Sequence, residues 1–158
     1  MGILHSYAAE VTWTGAGEHG TTGYAAYSRD HEVAFPGKPA LAGSAEKAFR
    51  GDPSRYNPEE LLVGALAQCH MLWFLHLAAD AGVVVTAYHD DAQGTMRVRS
   101  GGMGRFTEVV LHPRVSVSGV PDEAVLADLH ERAGEYCFIK QSVNFPVRCE
   151  PTAVAHTG

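Results

Sequence analysis

A long apolar stretch from Asn57 to Asp80 constrains this chain more than any other feature. Asn57 is placed to cap a helix, Pro58 suits the first helical position, and Glu60 follows the cap at the spacing of a capping box. Gly82 supplies the stop. Leu61, Leu62, Ala65, Leu66, Cys69, Leu72, Trp73, His76 and Leu77 recur at helical spacing, while Val63, Met71, Phe74 and Leu75 fill much of the opposite side. A helix apolar nearly all round must be covered on most of its faces, so the rest of the chain is expected to be built around it.

At 158 residues the chain is read as a single domain, long enough to bury a core. Its net charge of -6 comes with dispersed basic residues, which gives no footprint for nucleic acid or an anionic membrane surface. The first residues lack a signal-peptide pattern and no segment is read as spanning a bilayer, so a cytoplasmic location is expected. Three cysteines, Cys69, Cys137 and Cys149, are too few for a disulfide scaffold.

An N-terminal sheet is expected within residues 1–40, from strands over Ser6–Thr14, Thr22–Ser28 and His31–Phe35. A polar connection with a short helical turn near Ala45–Phe49 leads to the cysteine helix at 57–81. A second sheet is expected over 83–118, with strands at Val83–Tyr88, Gly94–Val98 and Phe106–Ser118. A second helix follows at 121–136 and a final strand at 142–154. Gly15-Ala-Gly-Glu-His-Gly20 has dinucleotide-fingerprint spacing, but the strand-like sequence after it makes it a turn. The nine histidines include no pair at the helical metal-site spacing, so neither a metal nor another cofactor is expected.

Each candidate residue has a plain reading of its own. Cys69 alone reads as a small buried hydrophobe, Cys137 as core between Tyr136 and Phe138, Glu59 as a first-turn acid and Arg29 as a solvated turn residue. Taken together, Asn57-Pro-Glu59 with a cysteine ten positions after the glutamate, an arginine in the preceding sheet and a cysteine just after the next helix resemble the OsmC/Ohr thiol peroxidases. The resemblance covers nearly the whole chain. It implies an α+β fold in an intertwined homodimer, with two antiparallel sheets enclosing long central helices. It also implies reduction of organic hydroperoxides, with hydrogen peroxide as a second option. Cys69 would be the attacking thiol, Cys137 the resolving thiol, and Arg29 with Glu59 the activating pair. A lipoylated protein is the implied dithiol reductant. In the organic hydroperoxide branch a proline follows the second cysteine, whereas Phe138 stands here, which points to an OsmC-like branch.

The implied chemistry demands a thiolate, and a free thiol with a pKa near ~8.5 is only a few per cent ionised at neutral pH. Cys69 is too far along its helix for the dipole to help, whereas a guanidinium at ~4 Å contributes on the order of 4 kcal/mol at a surface-like dielectric. Glu59 would hold Arg29 through a two-point hydrogen-bonded pair. Ten residues of helix separate Glu59 from Cys69 by roughly 15 Å, so the pair is expected to serve the Cys69 of a second subunit. Trp73, Phe74, Met71, Phe106, Tyr27 and Phe138 are candidates for an apolar substrate pocket, with ordinary core packing as their plain reading. A non-enzymatic carrier of a small apolar ligand is the rival from another class. A thioesterase-like enzyme is a third reading, which lacks an acid in the apolar part of the helix.

Overall fold

The computed structural model describes residues 2–120 and 122–156. The chain divides into two compact units, Met1–Leu61 and Leu62–Gly158.

In the first unit, β1 (Glu10–Trp13), β2 (His31–Ala34) and β3 (Leu41–Gly43) form an antiparallel sheet in that order. The expected strand at Thr22–Ser28 is not formed. Residues 15–28 instead make a looped excursion of turns, closed where the Ser28 amide donates to the Gly15 carbonyl at 2.9 Å and Trp13 Nε1 donates to the Ser28 carbonyl at 2.8 Å. A Cβ on Gly15 would stand 2.1 Å from that carbonyl oxygen, so glycine is required at the closure. The third strand is Leu41–Gly43, inside the region expected to be a connection, and a 3-10 turn follows at Lys47–Phe49 near its expected place. Ser44, almost fully buried, ties this unit together by donating to Asp30 and accepting from the Asp52 amide.

Helix α1 (Pro58–Asp80) starts as the sequence requires: the Glu60 amide donates to Asn57 Oδ1 at 2.8 Å, and the Asn57 amide to Glu60 Oε2 at 3.3 Å. It ends at Gly82, whose φ of 71° lets the Val83 amide turn back to the Ala78 carbonyl at 2.9 Å. By length and composition α1 could cross a membrane, contrary to the expectation that no apolar stretch reaches spanning length without charges. Its buried stripe of Leu66, His70, Phe74, Leu77 and Ala78 is nevertheless built into a protein core.

The second unit carries β4 (Val85–Asp90), β5 (Gln93–Val98), β6 (Gly104–Leu111), β7 (Pro113–Ser118), α2 (Glu123–Tyr136), the short α3 (Phe138–Gln141), β8 (Val147–Cys149) and β9 (Thr152–His156). The single strand expected over Phe106–Ser118 breaks at His112, whose amide donates to Asp90 Oδ1 at 2.7 Å instead of to a strand partner. Proline at 113 then opens β7, where its missing donor costs no ladder bond. The break sends the two halves to different sheets, β5-β6-β8 and β4-β7-β9. The expected final strand also splits, at Glu150 and Pro151, and both pieces pair in parallel: Val109 with Val147, and Val115 with Ala153. The fold is thus α+β as expected, but its second region holds two mixed sheets rather than one antiparallel sheet.

Two core clusters follow. Phe74, Leu77 and Ala78 pack with Val115 and Val117 of β7 and with Leu126, Leu129 and Ala133 of α2. Leu66 packs with Val109 and Leu111 of β6, joined by the half-buried Phe106, Phe145 and Val147. Alternation along β7 and helical spacing along α2 place these side chains on one face of each element.

Candidate functional site

Cys69, half-buried, stands near the middle of α1, and Cys137, 1% exposed, is the junction between α2 and α3. The Cys137 amide closes α2 by donating to the Ala133 carbonyl at 3.0 Å, while its Sγ caps α3 by accepting from the Lys140 amide at 3.4 Å. Burial, then the neighbouring Cys69 side chain, pushes the Cys137 thiol up to about 11, against the opposing pull of the Lys140 amide. The Cys69 side chain is thus felt at Cys137, both are free thiols, and the more deeply buried Cys137 keeps its proton. Trp73, one helical turn beyond Cys69, stacks on Tyr136 with centroids 5.1 Å apart and meets Phe138 edge-on at 5.5 Å, so aromatic rings from both sides of Cys137 gather there.

In the first unit, Arg29 and Glu59 line one cavity of about 500 Å³, together with Trp13, Tyr27, His31 and Glu46. The two-point pair expected between them is not formed. The Arg29 guanidinium instead donates to the Tyr27 and Tyr24 carbonyls at 2.7 Å each, and its carbon lies 4.1 Å and 4.3 Å from the centroids of the Tyr27 and Tyr24 rings. Two strong acceptors and two π faces hold the cation in the loop without help from the carboxylate.

The six aromatic and sulfur side chains proposed for an apolar pocket have different settings. Tyr27 lines the cavity of the first unit, Phe74 is fully buried in the core, and Phe106 packs on Phe145. Trp73 borders a separate hollow of about 220 Å³ with Leu72 and His76, Phe138 is exposed and Met71 half-buried. Core packing accounts for Phe74 and Phe106, because both lie on the inward faces that join helix to strand.

A second cluster escaped the sequence reading. His70 of α1 and His130 of α2, both buried, meet with Nε2 and Nδ1 3.0 Å apart. Cys149 of β8 places its Sγ 3.5 Å from that His70 nitrogen and 3.8 Å from that of His130. The His130 ring stacks on Phe74 at 4.1 Å. Burial lowers both imidazoles to about 4, helped by Lys140 at His70 and by His70 at His130. Burial and the charge of Asp90 push the Cys149 thiol up to about 12. These three donors could hold a metal ion. Separations of 60 and 19 residues leave no local spacing by which the cluster could have been read.

Residues 51–152 match a protein-family model described as OsmC-like protein. An OsmC-like protein of unknown function from Vibrio cholerae aligns at 35% identity with a TM-score of 0.84, over 94% of this chain and 100% of that one. Organic hydroperoxide resistance proteins from Legionella pneumophila and Elizabethkingia anophelis share the fold. The first is 15% identical with a TM-score of 0.71, over 96% of this chain and 98% of that one. The second is 19% identical with a TM-score of 0.70, over 99% and 100%. No curated protein matches the chain.

Proposed function

The chain belongs to the OsmC-like family, and on that footing we propose that it is a cysteine-based peroxidase acting on organic hydroperoxides. The observation that carries this reading is a half-buried Cys69 whose side chain is felt at the buried Cys137 thiol, at the joint between two helices. The names of the Legionella and Elizabethkingia proteins support the substrate class.

The Cys69 thiolate attacks the terminal peroxide oxygen, the O–O bond breaks, and the alcohol leaves as the sulfur becomes a sulfenic acid. Cys137, still protonated, then condenses with that sulfenic acid, releasing water and forming a disulfide. Two electrons from an external dithiol, such as a lipoyl group, reopen the bond by thiol exchange. Arg29 has five guanidinium N–H donors, and the two carbonyl contacts leave others for a thiolate or a peroxide oxygen. In this proposal the enzyme works as a homodimer in which Arg29 and Glu59 of one subunit complete the site around Cys69 of the other. The 60% exposure of the apolar Leu72 on α1 in the single chain supports this reading.

The test treats fully reduced protein with one equivalent of cumene hydroperoxide and follows peroxide loss and peptide masses. Rapid consumption with a Cys69–Cys137 link is the expected result, and Arg29→Ala slows the first oxidation. Slow, unselective thiol oxidation would instead favour a carrier that uses the cavity of the first unit.

A further inference from the structure

We propose that His70, His130 and Cys149 form a binding site for one borderline-soft divalent transition-metal ion of the zinc class, separate from the Cys69–Cys137 pair. The three donor atoms form a triangle with edges of 3.0, 3.5 and 3.8 Å. A tetrahedral ion with Zn–N near ~2.05 Å and Zn–S near ~2.3 Å requires edges of roughly 3.3 Å between nitrogens and 3.6 Å from nitrogen to sulfur. Small side-chain rotations close that difference. Two imidazoles and a thiolate are also the ligand set that favours zinc-like ions over magnesium or calcium, whose ligands are oxygens.

The three ligands come from elements with little freedom to move. His70 and His130 lie on the buried faces of α1 and α2, and Cys149 is fixed on β8 by its register with Leu111. The His130 ring is held by its stack on Phe74. The cluster opens into a cavity of about 470 Å³ that also carries Glu131, Glu135 and Lys140, which gives an ion a way in and leaves a fourth position for water or another ligand. The amide of His112, next to the Leu111 that pairs with Cys149, donates to Asp90 Oδ1, while Asp90 Oδ2 is buried without a hydrogen-bond partner. Binding converts the Cys149 thiol to thiolate, so one proton leaves for each ion taken up.

The test uses full-length protein, reduced and stripped with a chelator, and titrates it with Co²⁺ and then with Zn²⁺. Uptake of one Co²⁺ per chain with a thiolate-to-cobalt charge-transfer band, displaced by Zn²⁺, is the expected result. Cys149→Ser removes the band, and His70→Gln or His130→Gln weakens binding more than ~10-fold, the least that loss of even an outer ligand contact costs. Cys69→Ser leaves the band in place. Because a variant could misfold, wild-type protein is also titrated with Zn²⁺ in weak buffer, and one proton should be released per ion bound. A purely hydrogen-bonded triad predicts neither uptake nor proton release. That result, or a band that depends on Cys69 or Cys137 and not on Cys149, overturns the proposal while leaving the peroxidase reading intact.

Discussion

Cys69 and His70 are consecutive on α1, yet they serve two unlike sulfur environments. A step of one residue turns a helix by about 100°, so one side chain is felt at Cys137 while the next meets His130 and Cys149. In the first environment a thiol at the joint of α2 and α3 feels another thiol. In the second it has two neutral imidazoles beside it and feels the charge of Asp90. The chemistry open to a cysteine is decided by what faces it, and here the same helix supplies both settings.

The sharpest way to break this comparison is kinetic. Cys69→Ser should reduce hydroperoxide consumption to background in a stopped-flow assay, while Cys149→Ser keeps most of the wild-type rate; equal losses would erase the distinction between the two sites. Packing should separate them next. Phe74→Ala, which empties a fully buried position and removes the ring under His130, is expected to cost about 3–5 kcal/mol in urea denaturation. Phe138→Ala, on the 67% exposed ring beside Trp73, should stay within about 0.5 kcal/mol in the monomer.

Protons should sharpen the contrast further. With metal removed, both buried imidazoles titrate near 4 rather than 6.5, so between those values the unfolded chain binds protons that the folded chain excludes. Their contribution to stability is intact above pH ~6.5 and falls as the pH drops toward 4, by roughly 1 to 3 kcal/mol per pH unit; denaturation midpoints across that range measure it. A flat profile would mean that the pair is already charged in the fold. The smallest effect concerns Cys137, whose thiol is pushed up to about 11. Its alkylation should stay slow up to pH 9 and rise about tenfold per unit until it ionises, as read by mass spectrometry.

The cysteine helix was legible because its signals are local: Asn57, Pro58, Glu60 and Gly82 define both ends within the segment itself. Helix α2 was legible for the same reason, with Asp122 capping it through two backbone amides. Thr22–Ser28 misled because its alternating pattern is real but belongs to a loop, where Tyr24 and Tyr27 face Arg29 rather than a sheet. Strand β3 offered three residues, one of them a glycine, too little for any pattern. The parallel pairings of β8 and β9 are set by partners far back in the chain, and no periodicity reports them. The candidate site divides along the same line. Cys69 and Cys137 stand out only through the family resemblance carried by their places after Glu59 and after the second helix, whereas His70, His130 and Cys149 meet only once three separate elements have packed.

Cys137 holds a position that ties chemistry to mechanics. Its sulfur steadies the first turn of α3 through the Lys140 amide, and the Lys140 ammonium is felt at His70 and at Cys149. If Cys137 forms the proposed disulfide, its sulfur would give up that amide and free the turn that carries the lysine. Oxidising equivalents received on one flank of α1 would then alter the electric field on its other flank, a link made by a single side chain shared between two helices.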